Sequence, residues 1–357
     1  MTILVTGGAG FIGANYIMDW LRLTDECVVN VDKLTYAGNL ESLESVFDDP
    51  RHIFVNGDIL DAELMDSILQ EHTPRAIINF AAESHVDRSI HAAGDFIQTN
   101  IVGTYTLLES ALKFWNSSSV KEKESFRFLH VSTDEVYGSL GRNDAPFSET
   151  NQYKPNSPYS ASKASSDHLV RAFYQTHGLP VLTTNCSNNY GPYQFPEKLI
   201  PLIIHNAISG EQLPIYGDGK QIRDWLYVLD HCSAIRTVLS KGALGEMYNI
   251  GGKNEMENIS VVNVLCDILD ALQPKTDGTS YRDQITFVED RLGHDRRYAI
   301  DSTKIEKELG WNPSETFESG IQLTVQWYLE NQTWVEHTTS GSYRNWIKKN
   351  YSTGATT

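Results

Sequence analysis

The segment Gly7-Gly8-Ala9-Gly10-Phe11-Ile12-Gly13 follows directly on the β-branched run Thr2–Val5 and opens Phe11–Leu23, whose apolar spacing is helical. A strand that passes through glycines at 7, 10 and 13 into a helix makes a tight turn. It lets backbone lie against a ligand, and it aims the unpaired N–H groups of a helix start at a pyrophosphate. Cys27–Val31 reads as the next strand and ends at Asp32, about 20 residues beyond the loop, where a carboxylate meets the adenosine ribose. Such a carboxylate accepts from both ribose hydroxyls and repels a 2′-phosphate. The pattern therefore predicts a dinucleotide site for NAD rather than NADP.

The rest of the first half keeps this rhythm. Strands are predicted at His52–Val55, Ala76–Phe80, Arg127–Val131 and Val181–Asn185, with helices at Ala62–Gln70, Phe96–Trp115 and Tyr159–His177. Strands alternating with helices, and apolar on both sides, imply a parallel sheet covered on both faces. Beyond Ser187 prolines gather at 192, 196, 201 and 214. Leu213–Tyr216, Gly217-Asp218-Gly219 and Ile222–Val228 read as strand, turn, strand, and Ser260–Leu272 as a helix. The expected architecture is α/β: a Rossmann-type doubly wound parallel sheet over 1–186, completed by part of 225–250. A smaller mixed α/β substrate domain follows over mainly 187–350, then a disordered tail over 351–357.

A formal charge of −17 argues against nucleic acid or an anionic membrane as partner, so an anionic substrate must meet cations locally. Cys27, Cys186, Cys232 and Cys266 are far apart, without metal-like pairing, and are expected as free, buried thiols. No metal site is predicted. No apolar run is long enough to cross a bilayer, and Met1 leads straight into a strand, so the expected compartment is the cytoplasm.

Several residues carry candidate chemistry. Tyr159 and Lys163, four apart behind Ser157-Pro158, project from one face at the start of a helix. An ammonium there would lower the phenol's pKa, making it a base for a sugar hydroxyl, and could also bind the nicotinamide ribose. Read alone, the pair is equally an exposed helix pair. Thr133 ends a strand, where its hydroxyl can meet a substrate hydroxyl. Asp134-Glu135 come next, at the strand end where such folds bind ligands; read alone, they are a solvated loop start. Buried, one of the two stays protonated as an acid while the other serves as a base. Asp58 is a candidate for the adenine amino group, Ala81-Ala82 for close backbone approach, and Asn100 for a polar anchor. Arg223, Arg291, His294 and Arg296-Arg297 form a cationic group suited to a diphosphate, with ion pairing to Asp290, Asp295 or Asp224 as the alternative.

These features together resemble the extended short-chain dehydrogenase/reductase superfamily and, within it, the dTDP-glucose 4,6-dehydratase family. The likeness rests on Gly7–Gly13, Asp32-Lys33-Leu34-Thr35-Tyr36-Ala37-Gly38-Asn39 and Ala81-Ala82-Glu83-Ser84-His85-Val86-Asp87-Arg88-Ser89. It continues through Ser132–Gly138, Tyr159–Lys163, Asn185–Tyr190 and Phe195–Pro201. The resemblance implies Tyr159 as base for C4 oxidation, Asp134 as acid and Glu135 as base for loss of water, with Thr133 and Lys163 beside them. It implies cofactor contacts from Lys33, Leu34, Thr35, Ile59, Ser84 and Asn189 besides those above. For a nucleotide sugar, most simply dTDP-glucose, it implies Ser84, His85, Thr133, Asn188, Lys198, Leu199, Pro214, Tyr216, Arg223, Asn258, Arg291, His294 and Tyr298. A homodimer through paired long helices is also implied. Leu292 and Leu229 depart from the family's usual proline and glutamate. Rival readings are an epimerase or decarboxylase on the same scaffold, which usually lack the acid pair, and a non-catalytic NAD sensor. The residues alone leave CDP- and UDP-glucose open.

Overall fold

The computed structural model describes residues 1–290 and 293–341. Its core is a seven-stranded sheet. In chain order the first six strands are β1 (Thr2–Thr6), β2 (Cys27–Asp32), β3 (His52–Asn56), β4 (Ala76–Asn79), β5 (Arg127–Thr133) and β6 (Val181–Cys186). The spatial order is Met247–Ile250, then β6, β5, β4, β1, β2 and β3, with every pair parallel. Ile3, Leu4 and Val5 in succession are fully buried, as a strand covered on both faces requires. On one face Ile3, Val5 and Leu129 pack beneath Phe11–Leu23 and Val228–Lys241. On the other, Leu4, Ile77 and Phe128 pack beneath Ala62–His72, Thr104–Ser117 and Pro158–His177. Successive crossovers run in opposite directions from β1, so a crevice opens beyond the ends of β1 and β4.

A separate apolar cluster, with Ile203, Val262, Leu265, Phe317 and Ile321, forms the C-terminal region. There the expected strand, turn and strand exist, yet they do not pair with each other. Leu213–Tyr216 runs parallel to Ile285–Val288, while Ile222–Tyr227 lies between Asn188–Tyr190 and Glu255–Glu257. Gly217 and Gly219, at φ +59° and +70°, carry the chain between two sheets instead of closing a hairpin.

The long helix expected over Phe96–Trp115 is interrupted. Ala93–Phe96 passes into a π-helical segment, Ile97–Gly103, before Thr104–Ser117 resumes the α form. The wider turn brings Asn100 inward, where it is 1% exposed. Cys27 is half-buried and the other three cysteines are buried; all four are free. Among the described residues no helix is long and apolar enough to cross a membrane. The tail at 351–357 lies outside the described residues.

Candidate active site

The crevice widens into a cleft of about 320 Å³. Gly7 stands at φ +70°, and a Cβ there would lie 2.6 Å from Ala81 N; a Cβ on Gly13 would lie 2.3 Å from Gly7 O. The loop thus tolerates no side chain where it turns beneath the cleft. Gly10 caps Phe11–Leu23 without a side-chain bond, leaving the first-turn amides for an anion. Asp32 is 8% exposed, and its Oδ2 accepts Ala9 N at 2.9 Å and its Oδ1 Leu34 N at 2.8 Å. Each oxygen keeps a lone pair for a ribose hydroxyl. Burial raises the pKa of Asp32 and the two amides oppose it. These features fit a dinucleotide.

Phe11, Ile12, Lys33, Thr35, Asp58, Ile59, Ala81, Ala82, Ser84 and Asn189 also line the cleft. Asp58 Oδ2 pairs with Lys33 Nζ at 2.6 Å, and Oδ1 accepts Leu60 N at 3.0 Å. Two expected cofactor residues stand behind the lining. Leu34, at φ +55°, turns its amide back onto Asp32. Asn100 is a clamp rather than a contact: it bonds Glu83 N and O, both at 2.9 Å, and Ser162 Oγ at 2.8 Å. It ties the loop after β4 to the helix that carries Tyr159.

At the far end of the cleft stand Thr133, Glu135, Tyr159 and Lys163. Their helix starts where Ser157 and Ser160 form a reciprocal capping box with Pro158 in the first turn. Lys163 Nζ donates to Val131 O at 2.8 Å. The lowered phenol expected from Lys163 is not what this geometry gives. Burial, and then the Glu135 carboxylate, push Tyr159 well above the usual tyrosine range, against a hydrogen bond with Thr133. Lys163 is itself drawn down by burial. Two buried groups each resist their charged form, and the positive charge is spread among other partners.

The two carboxyls diverge in environment. Asp134 is 2% exposed, its Oδ1 is 3.4 Å from Thr133 Oγ1, and its buried Oδ2 has no hydrogen-bond partner. Burial first, then Glu135 and Asp224, raise it well above the carboxylate range, with Arg223 opposing. Glu135 lines the cleft. One carboxyl is buried and pushed toward its protonated form, beside one that faces the ligand space.

Of the expected sugar-nucleotide residues, Ser84, Thr133, Asn188 and Lys198 line this cleft. A second group gathers around the strand Ile222–Tyr227. The Arg223 guanidinium lies 4.3 Å over the Tyr298 ring and donates to Asp295 O at 3.0 Å. Tyr216 is edge-on to His294, which pairs with Asp290 at 2.6 Å. Glu135 raises the pKa of Tyr298, after burial, so this group lies within electrostatic reach of the acid pair. Pro214 and Asn258 sit farther along, in a strand and at a helix start; Asn258 Oδ1 is buried without a partner. Leu199 opens a helix, and His85 caps Val86–His91. The cationic group is not free as a whole: Arg296 pairs with Asp218 at 2.9 Å and Arg297 with Glu255 at 2.6 Å, neither being a partner named from sequence. Arg291 and Leu292 lie outside the described residues; Leu229 is exposed.

A family model described as GDP-mannose 4,6 dehydratase matches residues 4–324. A dTDP-glucose 4,6-dehydratase from Xanthomonas campestris pv. campestris is 62% identical over 96% of this chain and 97% of its own. The chain belongs to the dTDP-glucose 4,6-dehydratase family. The solved dTDP-glucose 4,6-dehydratase of Streptomyces venezuelae, with NAD bound, superposes with a TM-score of 0.86 at 45% identity, covering 95% of this chain and all, 100%, of that one. The Bacillus anthracis enzyme, in complex with NAD, gives 0.83 at 48%, over 95% and 99%. Among the cleft residues not singled out from the sequence are Glu197 and Cys186. Glu197 accepts the Tyr36 hydroxyl at 3.1 Å, and Cys186 donates to Ser132 O at 3.4 Å. Both lie in or beside motifs that carry the family likeness, yet only the fold brings them to the cleft.

Proposed function

We propose that this chain converts dTDP-glucose to dTDP-4-keto-6-deoxyglucose by oxidation at C4, loss of water across C5 and C6, and return of the hydride to C6. The observation that carries this reading is the Asp134-Glu135 pair beside Tyr159 and Lys163, one carboxyl buried and the other on the cleft. The names of the relatives support dTDP-glucose as substrate. When bound, NAD supplies the hydride acceptor for C4 and gives the hydride back at C6.

Gly7, Gly10 and Gly13 admit the pyrophosphate, Asp32 holds the adenosine ribose, and Lys163 holds the nicotinamide ribose. Tyr159 Oη, held as the phenol by burial, would take the C4 hydroxyl proton as the phenolate, a form that the positive nicotinamide of bound NAD would favour. The resulting ketone acidifies C5–H, which the Glu135 carboxylate removes, while Asp134 gives its proton to the departing C6 oxygen. Glu135 returns its proton to C5. Over one turnover Tyr159 has gained a proton and Asp134 has lost one. Thr133 Oγ1, hydrogen-bonded to Tyr159 and 3.4 Å from Asp134 Oδ1, is the group through which that proton moves back. Arg223 would meet the diphosphate, Arg296 and Arg297 being paired with Asp218 and Glu255.

The chain is further proposed to work as a homodimer, with Ile97, Val102 and Tyr105, all exposed along one segment, covered by a second copy. Its four unpaired cysteines accord with a reducing cytoplasm. Incubation with dTDP-glucose should yield a product lighter by one water; an unchanged mass would contradict the reading.

A further inference from the structure

Lys163 is 4% exposed, where an uncompensated ammonium is costly. Its bond to Val131 O is to a neutral group, and His130 Nε2 stands 3.5 Å away. Burial draws His130 down to about 4, so the ring is neutral at working pH. The countercharge lies one turn farther along the same helix. Asp167, 5% exposed, accepts the hydroxyls of Ser132 and Tyr153 on Oδ2, both at 2.9 Å. Its other oxygen, Oδ1, faces His130 Nε2 at 3.4 Å and makes no hydrogen bond.

The ring's orientation is set from the opposite side. Asn79 takes the Thr6 hydroxyl on its carbonyl at 2.7 Å and turns its amide to His130 Nδ1 at 3.1 Å. With that assignment Nδ1 accepts, and the ring's proton is on Nε2, which bonds Ser166 Oγ at 3.2 Å with Asp167 Oδ1 beside it at 3.4 Å. His130, Asp167 and Tyr153 are absent from the lining of the cleft. The mechanism above leaves them unused.

We propose that Asp167, anchored by Ser132 and Tyr153 one turn along the helix from Lys163, is a positioning residue that holds Lys163 as an ammonium at the cofactor cleft. This rests on the reading of that cleft as an NAD site. The titratable groups around Lys163 are His130 from β5, Cys186 from β6, Asp167 and Tyr159 from its own helix, and, against Asp167, Tyr153 and Tyr137. Asp167 and Cys186 oppose the effect of burial on Lys163, Asp167 foremost. Removing the carboxylate lets Lys163 lose its proton at lower pH.

The test is NAD affinity of the cofactor-stripped, full-length protein, followed by fluorescence as pH is raised from about 6.5 to 9.5, toward the ordinary lysine range. In Asp167→Asn the alkaline loss of affinity should begin about one pH unit lower than in the parent, a roughly tenfold difference at a fixed alkaline pH. Binding near pH 6.5 should change little, and Asp167→Glu should move the profile back toward the parent. Tyr153→Phe, which removes one donor from the carboxylate, should shift it the same way by less. A folded Asp167→Asn whose affinity follows the parent's pH profile would overturn the proposal. Should that variant not fold, an unshifted Tyr153→Phe would do the same. A parent that binds NAD but leaves dTDP-glucose unchanged would refute the dehydratase reading while this pH shift stood.

Discussion

Asp134 and Glu135 are adjacent in the chain and opposite in environment: Asp134 is 2% exposed with a buried, unpartnered Oδ2, and Glu135 lines the cleft. A single peptide step off the end of β5, in the short 3₁₀ turn Asp134–Tyr137, produces this split. The proposed acid and base roles rest on this split, with Asp224 adding to the rise at Asp134 and Arg223 opposing it.

Glu135→Gln should retain oxidation at C4 and lose elimination. Stopped-flow absorbance should show the reduced nicotinamide accumulating in a single turnover, while the dehydrated product falls by about 10²-fold or more. Product at the parental rate would remove Glu135 from the base role.

Asp134→Asn separates stability from activity. A carboxyl whose proton affinity is higher folded than unfolded gives stability that is full at low pH and fades as pH rises above its unfolded value of 3.8. The asparagine has no such slope. At pH 8 the variant should therefore be more stable than the parent and nearly inactive. Thermal melts at pH 5 and 8 check this; the gain should be smaller at pH 5.

Much of the cofactor half was legible because its signals are local. Glycine spacing, the acid at the end of β2 and the Pro158 helix start are short-range chemistry, and Phe11–Leu23 occupies the predicted residues. What was not legible depends on partners distant in sequence. The break at Ile97–Gly103 has apolar spacing that suits an α-helix, and only the Asn100 bonds to Glu83 and Ser162 account for it. Likewise Arg296 and Arg297 looked available for a diphosphate, whereas the fold brings Asp218 and Glu255 to them. The Tyr159 phenol was misjudged because sequence supplies a neighbouring lysine but not the burial that outweighs it.

Thr133→Ser should keep at least a tenth of the parental kcat. Thr133→Val, without a hydroxyl to bridge Tyr159 and Asp134, should lose about 10²-fold. Equal rates in the two variants, measured by product mass over time, would exclude a proton path through that hydroxyl.

Gly13→Ala places a Cβ 2.3 Å from Gly7 O, so the loop must open. NAD affinity measured by calorimetry should fall at least about tenfold, or roughly 1.4 kcal/mol. An unchanged affinity would mean that the cofactor does not lie against this turn.

The most direct measurement uses dTDP-glucose carrying deuterium at C4, with the product examined by mass spectrometry and NMR. A hydride that leaves C4 and returns within the same closed site should put the deuterium on C6 of a product one water lighter. Deuterium lost to solvent, or a recovered sugar still labelled at C4 with its mass unchanged, would contradict transient oxidation as the source of the elimination.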